Sequence, residues 1–193
     1  MFLLTRPSDA QVKAFLKKCE SSPFSYTEVG TSVDTRPAGY NVDHNRIRLG
    51  SGTELFERAK TAIRQWKMFD VPGIELCYPD TPLEPGRNVA PLASHLGFYS
   101  LNSCRIVYVI DEPGRLGFAY GTLVEHAEIG EERFMVEYHP DTGEVWYDLF
   151  AFSRPGNIFV KLGYPYSRYR QKSFSTGSKY AMRRAVASSE PSP

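Results

Sequence analysis

The densest group of titratable side chains lies in one short stretch, Gly121-Thr122-Leu123-Val124-Glu125-His126-Ala127-Glu128-Ile129-Gly130-Glu131-Glu132-Arg133-Phe134. An imidazole near carboxylates can relay a proton, so His126 with Glu131 or Glu132 is a candidate acid–base pair. The same residues also fit a polar turn whose carboxylates accept backbone amides and Arg133. His126 is a weak metal-ligand candidate, because one imidazole with irregularly spaced carboxylates defines no coordination geometry. No serine sits in a GxSxG elbow, and Gly50-Ser51-Gly52 lacks the lysine of a phosphate-binding loop. These residues predict no catalytic set, no metal and no cofactor.

Charge is segregated along the chain. Acids dominate from Asp111 to Asp148, opposed only by Arg115 and Arg133, whereas Arg154, Lys161, Arg168, Arg170, Lys172, Lys179, Arg183 and Arg184 follow with no acid among them. A basic helix could meet phosphates or anionic lipid. Aromatics interleaved with these charges fit equally a helix lying on the acidic hairpins or solvated on one face. The formal net charge of +1 gives no global case for a nucleic-acid partner. Cys19, Cys77 and Cys104 are odd in number and far apart, which excludes full disulfide pairing and a CxxC zinc pattern. Free thiols, an apolar start too short for a signal peptide, and no long apolar run predict a cytoplasmic protein without an integral membrane segment.

The elements that must position these groups follow from periodicity. Ser8 and Gln11 have capping-box spacing before a helix carrying Val12, Phe15, Leu16 and Cys19. Ser51 and Glu54 suggest a second capping box, before a stripe of Leu55, Phe56, Ala59, Ala62, Ile63 and Trp66 that ends near Phe69. Between them lies a polar, turn-rich segment with short strand possibilities at Tyr26–Val33 and Ile47–Leu49. Trp66-Lys67-Met68-Phe69 reads as the core-anchoring end of the second helix.

Beyond Pro72-Gly73 the period becomes two. Strands are predicted at Ile74–Tyr78, Val89–Phe98, Cys104–Ile110, Arg115–Glu125, Glu132–His139 and Glu144–Ser153. Short polar turns containing Gly114, Gly130 and Gly143 make the later strands an antiparallel meander. The fold class is therefore α+β, expected as one domain over residues 1–187 with a disordered tail at 188–193. A long helix from about Tyr166 to Ala187 closes it, after Gly163-Tyr164-Pro165 delays its start; Gly177 either weakens that helix or permits close packing. The last strand is apolar on both faces, so it needs two covers. A sheet curved around an internal space with the helix across its mouth supplies them.

Leu49-Gly50-Ser51-Gly52 with Phe56, Ala59 and Trp66-Lys67-Met68-Phe69, then Tyr120-Gly121-Thr122-Leu123, His126, Gly130-Glu131-Glu132-Arg133-Phe134 and Phe152-Ser153-Arg154-Pro155, occur in an order that resembles the uncharacterised family called domain of unknown function nineteen-ninety. The resemblance runs from about Phe15 to Val186. That family in turn resembles the helix-grip (START/SRPBCC) superfamily of START lipid-transfer domains, pollen-allergen-like proteins and polyketide cyclases. The resemblance implies a curved antiparallel sheet gripping a long C-terminal helix over an apolar cavity, and it carries over no catalytic residue.

The leading functional expectation is a protein that binds a hydrophobic or amphipathic small molecule between sheet and helix. Candidate lining is Phe118, Tyr120, Phe134, Tyr147, Phe150 and Phe152, with His126, Glu132 and Arg154 as polar anchors. Strand parity leaves open which alternate set faces inward. The alternatives are a cavity enzyme of cyclase, hydrolase or isomerase type using His126 with Glu131 or Glu132, and an interaction module using the basic helix. Ligand identity and oligomeric state are not encoded in any motif.

Overall fold

The computed structural model describes residues 1–156 and 163–187. The expected tail at 188–193, and Lys161 of the basic run, lie outside the described residues. Among those described, strands are β1 (Phe2–Leu3), β2 (Asn41–Ser51), β3 (Ile74–Cys77), β4 (Asn88–Ser94), β5 (Tyr99–Leu101), β6 (Cys104–Glu112), β7 (Arg115–Thr122), β8 (Glu128–His139) and β9 (Glu144–Pro155). The helices are α1 (Asp9–Lys18), α2 (Thr53–Arg64) and α3 (Tyr164–Ala187).

All strand pairs are antiparallel, in the order β1-β5-β4-β6-β7-β8-β9-β2, with β3 also beside β4. The sheet curls around α3 as a half-barrel, the helix-grip arrangement. The meander from β6 to β9 forms as expected, except that the β7–β8 turn falls at residues 123–127 and Gly130 lies inside β8, paired with Ser153. The strand expected at Val89–Phe98 stops at Ser94, and a separate short strand, β5, follows a turn. In that turn the His95 amide donates to the Phe98 carbonyl at 2.8 Å and Gly97 takes a positive φ of 86°.

Two further departures concern β2 and α2. The polar segment before Leu49 contains an eleven-residue strand, β2, which pairs along most of β9 from Asn41↔Ser153 to Ser51↔Glu144. Because Ser51 is held in that ladder, it cannot cap α2. Gly52, with φ of 98°, is the N-cap instead and makes no side-chain capping bond. The expected capping box at Ser8 is present in full. At the other end of α2, Trp66 turns left-handed at φ 56° and the short 3-10 turn Lys67–Phe69 follows. The indole packs on Phe118 with centroids 4.6 Å apart and donates to the Thr81 carbonyl at 2.9 Å, so it anchors the core.

The inner face of the sheet packs on α2 and α3. Phe56, Ala59, Ala62, Ile63 and Trp66 meet Phe118, Phe134, Val136, Tyr147 and Leu149 in one buried cluster, which Met182 and Val186 of α3 complete. Gly177 serves close packing: an added Cβ would lie 2.5 Å from Val71 Cγ1. The outer face has its own cover, the segment between α1 and β2. Tyr26 and Tyr40 lie edge-on to Phe152, and Arg133 donates from Nη1 to the Ser32 and Val33 carbonyls. The strand that is apolar on both faces thus has two covers, and only one of them is the helix.

Candidate functional site

Side-chain size along the inner face decides where the interior is filled. Towards α2 the inward residues are large, Phe118, Phe134, Val136, Tyr147 and Leu149, and they fill the space they enclose. Further along the same strands the inward positions become small. Strand register sets Tyr120 opposite Glu132, Glu132 opposite Ala151 and Ala151 opposite Asp43, a single rung across four strands. Beside it Gly130 faces Ser153. Small residues leave space where the sheet curves away from α3, and a cavity of about 400 Å³ results. Its walls are this part of the sheet, Ala93 of β4, His95 and Phe98 of the β4–β5 turn, and Tyr166, Ser167, Gln171 and Phe174 of α3.

Most polar groups in the wall are matched. The Arg168 guanidinium grips the Asp43 carboxylate through both Nη atoms, at 2.5 and 2.8 Å, and also donates to Gln171 Oε1 at 2.6 Å. Such bidentate pairs are strong and directional. Glu128 accepts from the Ser167 hydroxyl and, at 2.5 Å, from Gln171 Nε2, and burial raises its pKa. His126 Nδ1 lies 2.9 Å from the Glu128 amide nitrogen and 3.0 Å from the Glu128 carbonyl oxygen, so the ring is tied to the backbone of β8. Burial pushes His126 down to about 4, which keeps it neutral at ordinary pH. His95 stacks on Phe98 at 4.4 Å and joins Ser100 Oγ (2.8 Å) to the Tyr166 hydroxyl (3.0 Å), tying the β4–β5 turn to the start of α3.

Glu132 is different. Its Oε2 accepts the Tyr120 hydroxyl at 2.7 Å, while desolvation, reinforced by the charges of Glu128 and Asp43, pushes its carboxyl up to about 7. Its neighbour Glu131 points the other way. The Glu131 carboxylate accepts from the Tyr26 hydroxyl at 2.6 Å, the Gly30 amide at 2.8 Å and the Ser32 amide at 3.0 Å, all in the outer cover. His126 therefore has no proton-transfer partner in Glu131.

Of the residues singled out from sequence, Tyr120, His126, Glu132 and Phe152 stand in the cavity wall, although the Phe152 ring packs outward on Tyr26 and Tyr40. Phe118, Phe134 and Tyr147 lie in the filled end of the interior; the Tyr147 hydroxyl meets Ser178 Oγ at 2.8 Å. Phe150 faces outward beneath the Arg133 guanidinium, and exposed Arg154 lies over the Tyr40 ring. Sequence reasoning passed over Asp43, Arg168, Gln171, Ala151 and Ser153. The Asp43–Arg168 pair spans 125 residues and no local pattern announces it. The run of small inward residues was the available signal.

Among the described residues no group of three or more His, Cys, Asp and Glu side chains could hold a metal. Cys19, Cys77 and Cys104 are free thiols, and among the described residues no helix is long and apolar enough to cross a membrane.

A family model described as "Domain of unknown function (DUF1990)" matches residues 25–181. A UPF0548 protein of Dictyostelium discoideum is 35% identical, with 98% of each chain covered. A UPF0548 protein of Deinococcus radiodurans is 40% identical, covering 86% of this chain and 88% of its own. Among solved structures, human STARD10 is similar at a TM-score of 0.48 and 10% identity, covering 96% of this chain and 82% of its own.

Proposed function

The chain belongs to the DUF1990 family, whose description names no activity, and we propose from the site itself that it binds a hydrophobic or amphipathic small molecule between sheet and helix. The observation that carries this reading is the cavity of about 400 Å³ at the small-residue end of the sheet. That size falls within the range of small-molecule sites, roughly 300–1,000 Å³. An apolar floor with a few polar groups at fixed places is also what such sites require. Arg168 and Lys179 reach to Asp43 and Asn45 of β2, which supports an inward role for this side of α3 over a free basic face. Three free thiols support a reducing, cytoplasmic setting.

Ala151 gives the direct test. It lies between Glu132 and Asp43 on the cavity floor, so Ala151→Phe places a ring in the cavity without touching the filled core. The variant should bind a neutral naphthalene-type fluorescent probe at least about tenfold more weakly than wild type. Native mass spectrometry of gently purified wild type should show a bound small molecule that the variant lacks. Unchanged probe binding in Ala151→Phe, or wild type that takes up neither probe nor ligand, would sink the reading.

A further inference from the structure

Resting on that reading, we infer that the cavity's ligand is an amphiphile whose polar end is a basic amine, its ammonium group seated on Glu132. The partners of each wall group lead to this. Both Asp43 oxygens are taken by Arg168, both Glu128 oxygens by Ser167 and Gln171, and both His95 nitrogens by Ser100 and Tyr166. The Tyr120 hydroxyl is committed to Glu132 Oε2. Among the described residues Glu132 Oε1 has no hydrogen-bond partner, and it belongs to a side chain that lines the cavity.

Charge points the same way as the hydrogen bonds. The titratable groups around Glu132 are Tyr120 on β7, Cys104 on β6, Tyr147 on β9, Glu128 on its own strand and Asp43 on β2. None of them is a cation. Of the cations nearby, Arg168 is paired with Asp43, and Arg170 stands in the cavity wall on the α3 side, where it donates to the Gly73 carbonyl at 3.4 Å. His126 is held neutral. A carboxylate ligand would add a third negative charge to a wall that already holds Glu128 and Glu132. An alcohol would hydrogen-bond to Glu132 without neutralising it. An ammonium does both, because it brings the countercharge that an alcohol lacks, and in a poorly solvated site that charge pairing is worth more than in water.

The test compares decylamine, 1-decanol and decanoate, which share one apolar body, as competitors of the fluorescent probe on the full chain. At about pH 8 decylamine should displace the probe at a concentration at least about tenfold below either of the others. Its advantage over 1-decanol should shrink below about pH 6, as Glu132 takes up a proton and no longer offers a full charge. Glu132→Gln should abolish that advantage. Tighter displacement by 1-decanol or decanoate, or an amine preference that survives Glu132→Gln, would overturn the amine assignment and leave the cavity reading standing. If none of the three displaces the probe, and Ala151→Phe binds it as wild type does, the cavity reading itself falls.

Discussion

Gly130→Val should lower the stability of the protein by about 3 kcal/mol or more, and in a marginal background should leave it unfolded. Gly130 joins the two halves of the site, because Glu128 and Glu132 flank it on β8 and Ser153 faces it on β9. Its φ of 155° lies in a region side chains rarely enter, and an added Cβ would sit 1.9 Å from the Phe152 carbonyl oxygen and 2.9 Å from Ser153 Cα. Both are backbone atoms of a paired strand, so no rotamer change can relieve the clash. The same residue donates its amide to Thr122 Oγ1 at 2.9 Å, and Thr122 in turn meets Ser25 of the outer cover at 2.6 Å. Displacing Gly130 therefore disturbs β7, β9 and the outer cover together. Gly143→Ala is the control. That glycine also has positive φ, at 69°, but nothing lies within 4 Å of its added Cβ, so the cost should be only about 1 kcal/mol. Urea unfolding followed by circular dichroism measures both, and a Gly130→Val protein within about 1 kcal/mol of wild type would contradict the geometry.

The meander, α1 and the closing helix could be read from the chain because each is specified locally. Short polar turns set the strand order, and the Ser8–Gln11 box sets the start of α1. Beyond the expected Ile47–Leu49, β2 escaped detection because its outward residues are His44, Arg46 and Arg48, which look like a solvated loop until their partners across the sheet are known. His44 meets Asp148 at 2.6 Å, Arg46 meets Glu137 at 2.6 Å and Arg48 meets Glu144 at 2.7 Å. Those partners are about a hundred residues away, beyond any periodicity argument. β2 in turn brings Asp43 to the cavity. The aromatic residues chosen as lining are large and β-favouring, and for that reason Phe118, Phe134 and Tyr147 fill space instead of enclosing it. Ala151, Ser153 and Gly130, which carry no chemistry of their own, mark the cavity. Adjacent Glu131 and Glu132 show how strand parity decides roles that composition cannot: one carboxylate fastens the outer cover and the other faces the interior.

Glu132 should make the ligand-free protein less stable as pH rises, and Glu132→Gln should remove that effect. Its carboxyl titrates in the ordinary carboxylate range when unfolded and at about 7 when folded, because burial disfavours the charge. Between those values the folded chain holds a proton that the unfolded chain has released. The favourable contribution is complete below the unfolded value and is lost as pH climbs through about 7. A shift of this size is worth roughly 3 kcal/mol, and partial access of water reduces it to about 2. Glutamine keeps the shape and can still accept the Tyr120 hydroxyl, but it has no proton to lose. Glu132→Gln should therefore match wild type at about pH 4 and exceed it by about 2 kcal/mol at about pH 8 in paired urea titrations. A gap of the same size at both pH values would mean that the substitution acts through packing and not through charge. Decylamine supplies the missing countercharge, so at about pH 8 it should restore the stability of wild type towards that of the variant. It should stabilise Glu132→Gln no more than 1-decanol does. A buried carboxylate left without a countercharge is costly in the empty protein and is the reason an amine would be held in the filled one.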